Sequence, residues 1–251
     1  YETTFLEADL EKTNAQRFIQ AYNTIDQTLR YLYNYKRSMS FSDIVRRSVP
    51  VNYFVRKYED KLVDYGRLRN AIIHKSNDEF IIAEPHGDVV LDIENIAKLI
   101  STPPKVLEVV EPRKVVCATA ETKIADVISL MTKTKYSNIP IYEKDELIGV
   151  ASGRYIVEGI GGFLAANKDV TQAIKSTPIE AIMAENHPVY SYFEVAKASI
   201  TVEEVLQMFY RNHKLQIIII TKTGSIKELP INIIATGDLI ELSNIFGDYQ
   251  N

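Results

Sequence analysis

The second half of the chain repeats itself. The segment STPPKVLEVVEP (101–112) returns as STPIEAIMAENHP (176–188), and KIADVISLM (123–131) shares its apolar pattern with TVEEVLQMF (201–209). KYSNIPIYEKDELIGV (135–150) matches KLQIIIITKTGSIKEL (214–229) less closely. A spacing of roughly 75–80 residues is too long for the unit of a solenoid and predicts two tandem modules. Each copy reads strand, helix, strand, turn, strand, helix. A unit this short buries a small share of its surface, so the two copies are expected to pack on one another. STPP (101–104) reads as a linker. The expected division is one domain over 1–104, a first module over 105–175 and a second over 176–251.

The region before the repeat reads as helical. Within 14–35, Phe18, Tyr22, Ile25, Leu29 and Leu32 recur at steps of four and three, the spacing of one buried helix face, with Asn14 as a cap. Ser42 or Asp43 starts a short helix that Pro50 stops. A long helix is expected from Asn52 to His74, with Val55, Tyr58, Leu62, Tyr65, Leu68 and Ile72 as its stripe. FIIAEP and VVLDI (80–93) flank His86-Gly87-Asp88 and read as a small β-hairpin, followed by a short helix over 94–100. The fold class expected is α+β: a helical bundle with a hairpin, then two βαββα units packed together.

Composition narrows the function classes. At 46% apolar and 25% charged residues the chain is of the soluble globular kind. No segment approaches the ~20 apolar residues that span a bilayer, so no membrane partner is expected. The first residues lack the pattern of a secretory signal, which makes the cytoplasm the expected compartment. One cysteine, Cys117, makes neither an internal disulfide nor a cysteine-based zinc site. No P-loop, no His-Glu-x-x-His pattern and no Cys/His cluster occurs, so no metal site is expected. His187 and His213 stand alone, and VEGIGG (157–162) has no phosphate-loop order. The net charge of −4 is uneven: residues 1–76 hold 13 Lys and Arg against 9 Asp and Glu, a balance of +4, and the remainder carries −8. The first part is the one expected to meet a polyanion.

The repeat contains SNIPIYEKDELIGVASGRYI (137–156) and IIIITKTGSIKELPINIIATGDLI (217–240). On these elements residues 105–245 resemble a pair of cystathionine-β-synthase (CBS) domains, a Bateman module. In that family a strand with a Pro-hydrophobic pattern leads into a turn, and a following strand ends Gly-h-h-Ser/Thr-x-x-Asp. The Asp accepts from both ribose hydroxyls of an adenine nucleotide, and the Ser/Thr helps to hold ribose or phosphate. A carboxylate can accept from two vicinal hydroxyls at once. Ile139, Pro140 and Ile217 fall at the strand positions of the pattern. The first copy keeps Ser152 but has Tyr155 where Asp is expected. The second keeps Asp238 but has Ala235 for the Ser/Thr, with Thr236 adjacent. The resemblance implies one competent site, around Asp238, for AMP, ADP, ATP or a related adenosyl ligand. For the first copy it implies either an empty site or one in which Tyr155 stacks or donates a hydrogen bond in place of the carboxylate.

RLRNAIIHK (67–75) sets polar residues in an apolar helical stretch. Its RNAIIH resembles the Arg-x4-6-His motif of HEPN (higher eukaryotes and prokaryotes nucleotide-binding) domains, matched by Arg69, Asn70 and His74. The resemblance implies a helical homodimer that cleaves RNA without a metal. His74 would act as general base or acid, its ordinary pKa of about 6.5 suiting that task. Arg69 would hold the scissile phosphate, with Arg67 as helper, and Asn70 would orient the histidine or the phosphate. On an ideal helix Asn70 and His74 share a face, whereas Arg69 lies about 140° round from His74. The alternative is a non-enzymatic, dimerising, nucleotide-binding regulator.

Overall fold

The computed structural model describes residues 12–73, 84–185 and 192–245. The chain divides into two compact units, one ending at Pro104 and the other beginning at Lys105.

The first unit is built of five helices among its described residues: α1 (Asn14–Tyr33), α2 (Phe41–Ser48), α3 (Tyr53–Lys57), α4 (Glu59–Ile73) and α5 (Gly87–Ser101). Thr13, not Asn14, caps α1: its hydroxyl accepts from the Gln16 N–H, and the Gln16 side chain returns the bond to the Thr13 N–H. Phe18, Tyr22, Ile25 and Leu29 are buried, but Leu32 is 51% exposed. Ser40 caps α2 and Asn52 caps α3. The expected long helix breaks at Tyr58, whose backbone leaves the helical region (φ −112, ψ 19), so that α3 and α4 are separate elements.

The expected hairpin at 80–93 is not present. Residues 80–83 lie outside the described part, and the chain from Gly87 to Ser101 is one helix, α5. Val90, Ile93, Ile96, Ala97 and Ile100 recur at helical spacing and all are buried. VVLDI looks β-rich only when that short window is read alone. Arg17 binds Glu94 and Lys61 binds Asp92, tying α1 and α4 to α5.

The second unit holds two three-stranded sheets with one topology. In the first, β1 (Ala118–Thr119) runs parallel to β2 (Asn138–Glu143), which is antiparallel to β3 (Glu146–Ser152). In the second, β4 (Phe193–Lys197) runs parallel to β5 (Ile217–Thr221), which is antiparallel to β6 (Asn232–Ala235). Helices α6 (Ile124–Thr134) and α10 (Val202–Arg211) make the parallel crossovers. Helices α7 (Gly153–Ala165) and α11 (Asp238–Ile245) follow the third strands, and α8 (Val170–Ser176) and α9 (Ile179–Glu185) join the copies. Every residue of β5 is buried, as in a strand covered on both faces.

The copies exchange their lead-in segments. Lys105 bridges to Thr201, just before α10, and the Val106 N–H donates to the Ile200 carbonyl at 2.9 Å. Reciprocally, Lys123, just before α6, bridges to Pro178, and the Ile179 N–H donates to the Thr122 carbonyl at 2.8 Å. Helix α9 therefore lays Ile179 and Ile182 into a core with Ile124, Val127, Ile139, Ile141 and Ile156. The start of the second copy thus completes the core of the first. A second cluster, Tyr142, Leu147, Val150, Tyr192, Ile217 and Ile219, packs one sheet on the other. The Tyr192 hydroxyl donates to the Val150 carbonyl at 2.7 Å across that contact.

Candidate functional site

The second unit contains a cavity of about 220 Å³. The chain before β1 supplies Arg113, Lys114 and Val115, and the turn from α6 into β2 supplies Lys135 to Asn138. The second copy adds Ile217 at the start of β5, Ile233 and Ala235 of β6, and Thr236 and Gly237. The sheet topology explains this convergence: Ile217 pairs with Ala235 at one end of β5–β6. Asn138 pairs with Ser152 at the corresponding end of β2–β3. Lys135 adopts a left-handed conformation (φ 63) that ends α6 and turns the chain toward β2. The cavity combines apolar walls with three cationic side chains, a composition suited to an anionic ligand with an apolar body. The Asn138 Oδ1 is buried without a hydrogen-bond partner, an acceptor left over beside the cavity.

Asp238 opens α11 immediately after Gly237 and is 8% exposed. Its Oδ2 accepts from the Ala235 N–H at 2.8 Å, and its Oδ1 is bound by Arg113 Nη2 at 2.7 Å. That hydrogen bond raises the Arg113 pKa above its ordinary value, against the lowering effect of partial burial. Asp238 itself does not line the cavity; its partner Arg113 does.

The other expected ligand residues are placed differently. Ile139 and Pro140 are buried strand residues, and neither lines the cavity. Ser152 caps α7, accepting from the Tyr155 N–H at 3.3 Å. The Tyr155 ring meets Tyr192 edge-on at 4.9 Å and packs on the inter-sheet cluster. The structure thus brings Ile217 and Thr236 onto one cavity with Asp238 behind it, and leaves Ile139, Pro140, Ser152 and Tyr155 outside. Arg113, Lys114, Lys135 and Asn138 were not singled out from sequence. The available signal was a pair of basic residues before a strand of the repeat, in EPRKVV.

In the first unit, Arg67, Arg69 and Asn70 of α4 line a cleft of about 370 Å³ with Tyr22, Asp26 and Arg30 of α1 and with Ser40, Phe41 and Ser42. Gly66 lies against α2, where a Cβ would make a tight 3.2 Å contact with the Phe41 ring. The Arg69 guanidinium sits 5.6 Å from the Tyr22 ring centroid, and its Nε is buried without a hydrogen-bond partner. Arg69 Nη1 reaches Asn70 Oδ1 only at 3.4 Å. Arg67 pairs with the exposed Asp64, and Arg30 with Asp26. Burial, with Asp26 adding, pushes the Tyr22 phenol up to about 12. His74 lies outside the described residues. Among the described residues no group of His, Cys, Asp and Glu is placed to hold a metal, and no helix is long and apolar enough to cross a membrane.

Residues 108–162 match the family model of the CBS domain. No curated protein matches the chain. Among solved structures, a CBS-domain protein from Burkholderia ambifaria is 18% identical, covering 59% of this chain and 97% of its own, with a TM-score of 0.43. The CBS domain of a bacterial CNNM/CorC family Mg2+ transporter in complex with ATP is 22% identical over 60% of this chain and 92% of its own, TM-score 0.41. A CBS domain pair in complex with 5′-methylthioadenosine and S-adenosyl-L-methionine is 16% identical over 58% of this chain and 97% of its own, TM-score 0.41. The second unit of this mixed α/β chain therefore carries a CBS domain, matched over residues 108–162.

Proposed function

We propose that the second unit is a sensor of adenine nucleotides whose ligand lies in the cavity between β1, β2 and the β5–β6 end. One observation carries the reading: Arg113, Lys114 and Lys135 converge with Thr236 and Gly237 on an apolar-walled cavity beside a sheltered carboxylate, Asp238. Cations there can meet phosphate, apolar walls can cover a base, and the carboxylate can accept from a ribose diol. AMP, ADP, ATP and S-adenosylmethionine are the candidates, and the two repeats, as a CBS pair over 105–175 and 176–251, form one binding module. Calorimetric titration of these four compounds tests the reading. The wild type binds at least one, and Asp238→Ala binds it about tenfold or more weakly, the loss expected for charge-assisted bonds to a sheltered carboxylate. Equal binding by both proteins refutes the role of Asp238.

The first unit, in the same reading, is the regulated part: a HEPN-like homodimer that cleaves RNA without a metal through Arg69, Asn70 and His74. The partly unsatisfied guanidinium of Arg69 beside a cleft shared with Arg67 and Asn70 supports a phosphate-handling role. Ligand control of that unit requires the nucleotide to favour one arrangement of the protein over another. Labelled RNA incubated with the protein in EDTA is expected to be cleaved, and cleavage is expected to vanish in His74→Ala. Intact RNA with and without nucleotide favours the non-enzymatic regulator.

A further inference from the structure

We infer that Arg113 is a latch that selects phosphorylated adenosyl ligands and is released by them. The inference rests on the nucleotide reading above and adds to it a phosphate requirement and a switching residue. Arg113 holds Asp238 Oδ1 at 2.7 Å while Oδ2 is held by the Ala235 N–H, so the oxygen a ribose diol would need is already engaged. Arg113, and not Asp238, forms the cavity wall at this point. The arginine side chain retains 35% exposure against 10% for the aspartate side chain, so the arginine is the partner with room to move.

Separating the two leaves a charge without its partner unless a substitute arrives. A phosphate offers the guanidinium an anion it can bind through two parallel bonds. The ribose hydroxyls then take its place on the carboxylate. Adenosine brings the diol but no anion, and must strand Arg113 to reach Asp238. Arg113 therefore opposes the unphosphorylated ligand and favours the phosphorylated one. Its release also acts on a segment that touches both copies: the chain before it is anchored by Val106 to Ile200 of the second copy, and β1 after it pairs with β2 of the first.

The test is calorimetric titration of AMP and of adenosine into the full chain, as wild type, Arg113→Ala and Arg113→Gln, with folding checked by circular dichroism. Arg113→Ala is expected to bind AMP about tenfold more weakly and adenosine several-fold more tightly, because Asp238 no longer has a partner to shed. Opposite signs are the signature. An arginine that only grips phosphate would weaken AMP and leave adenosine unchanged, and one that only supports the fold would weaken both; either result overturns the latch. If Arg113→Ala misfolds, Arg113→Gln carries the comparison with the same expected signs. If the wild type binds AMP but adenosine too weakly to measure, adenosine binding gained by the variant supports the latch and no gain overturns it. A wild type that binds neither AMP nor adenosine overturns the latch, and one that binds none of AMP, ADP, ATP and S-adenosylmethionine overturns the nucleotide reading with it.

Discussion

At Gly159 of α7 a Cβ would lie 2.7 Å from Ile182 Cγ2, and at Gly149 of β3 one would lie 2.4 Å from Met183 Cε. The shorter distance is the more tolerable. The thioether end of Met183 is the far end of a flexible, partly buried side chain. Ile182 is branched at Cβ, stiff at χ1 and 4% exposed in the core that α9 completes. Gly159→Ala is expected to lose about 1–2 kcal/mol, overpacking outweighing the better helix propensity of alanine. Gly149→Ala is expected to stay within about 0.5 kcal/mol of wild type, as Met183 repacks. Urea unfolding midpoints of the two variants check this, and equal losses would contradict it. The candidate site shows the same limit on reading single residues. Thr236 and Asp238 stand out in a sequence pattern, whereas the role of Arg113 lies in a partner far along the chain that no local window contains.

At the scale of elements, sequence periodicity was a good guide where one helix face was long and uniformly buried. The apolar steps of α1 and the strand-helix-strand order of both copies are examples. It failed where a window was too short or a break had no obvious breaker. VVLDI reads as a strand in isolation, yet its apolar positions continue through Ile96, Ala97 and Ile100 as a helix face against α1. The break between α3 and α4 occurs at a tyrosine rather than at proline or glycine. Helix α4 beyond the break is tied to its neighbours: Tyr65 donates to Asp92 of α5 and meets Phe18 of α1 edge-on.

At the scale of the whole molecule, both units hide phenols. Burial pushes Tyr22 in the first unit and Tyr142 and Tyr192 in the second up to about 12 from the ordinary 10.0. Tyr65 is raised as well, by burial and by its hydrogen bond to Asp92. A raised pKa means that the folded chain keeps protons the unfolded chain has released. The stabilisation is fully present below about pH 10 and is lost as pH climbs toward about 12. Tyrosinate absorbance and far-ultraviolet circular dichroism, followed together on raising the pH, should show late phenols ionising along with loss of helical signal. Titration of every tyrosine near 10 with the fold intact would contradict the prediction.

By itself the sequence determined that the second part is a doubled α/β unit, because a repeat of apolar period and strand order is a local property of the chain. It also marked Asp238 and Thr236, and Arg69 and Asn70, as polar residues in informative company. Only the tertiary structure decided that the copies exchange their lead-in segments, that Tyr155 packs against Tyr192 while a cavity opens near Thr236, and that Arg113 closes on Asp238. The reason is physical: burial, cavity shape and ion pairing depend on which distant segments meet, and that is settled by packing the whole unit rather than by any stretch of it.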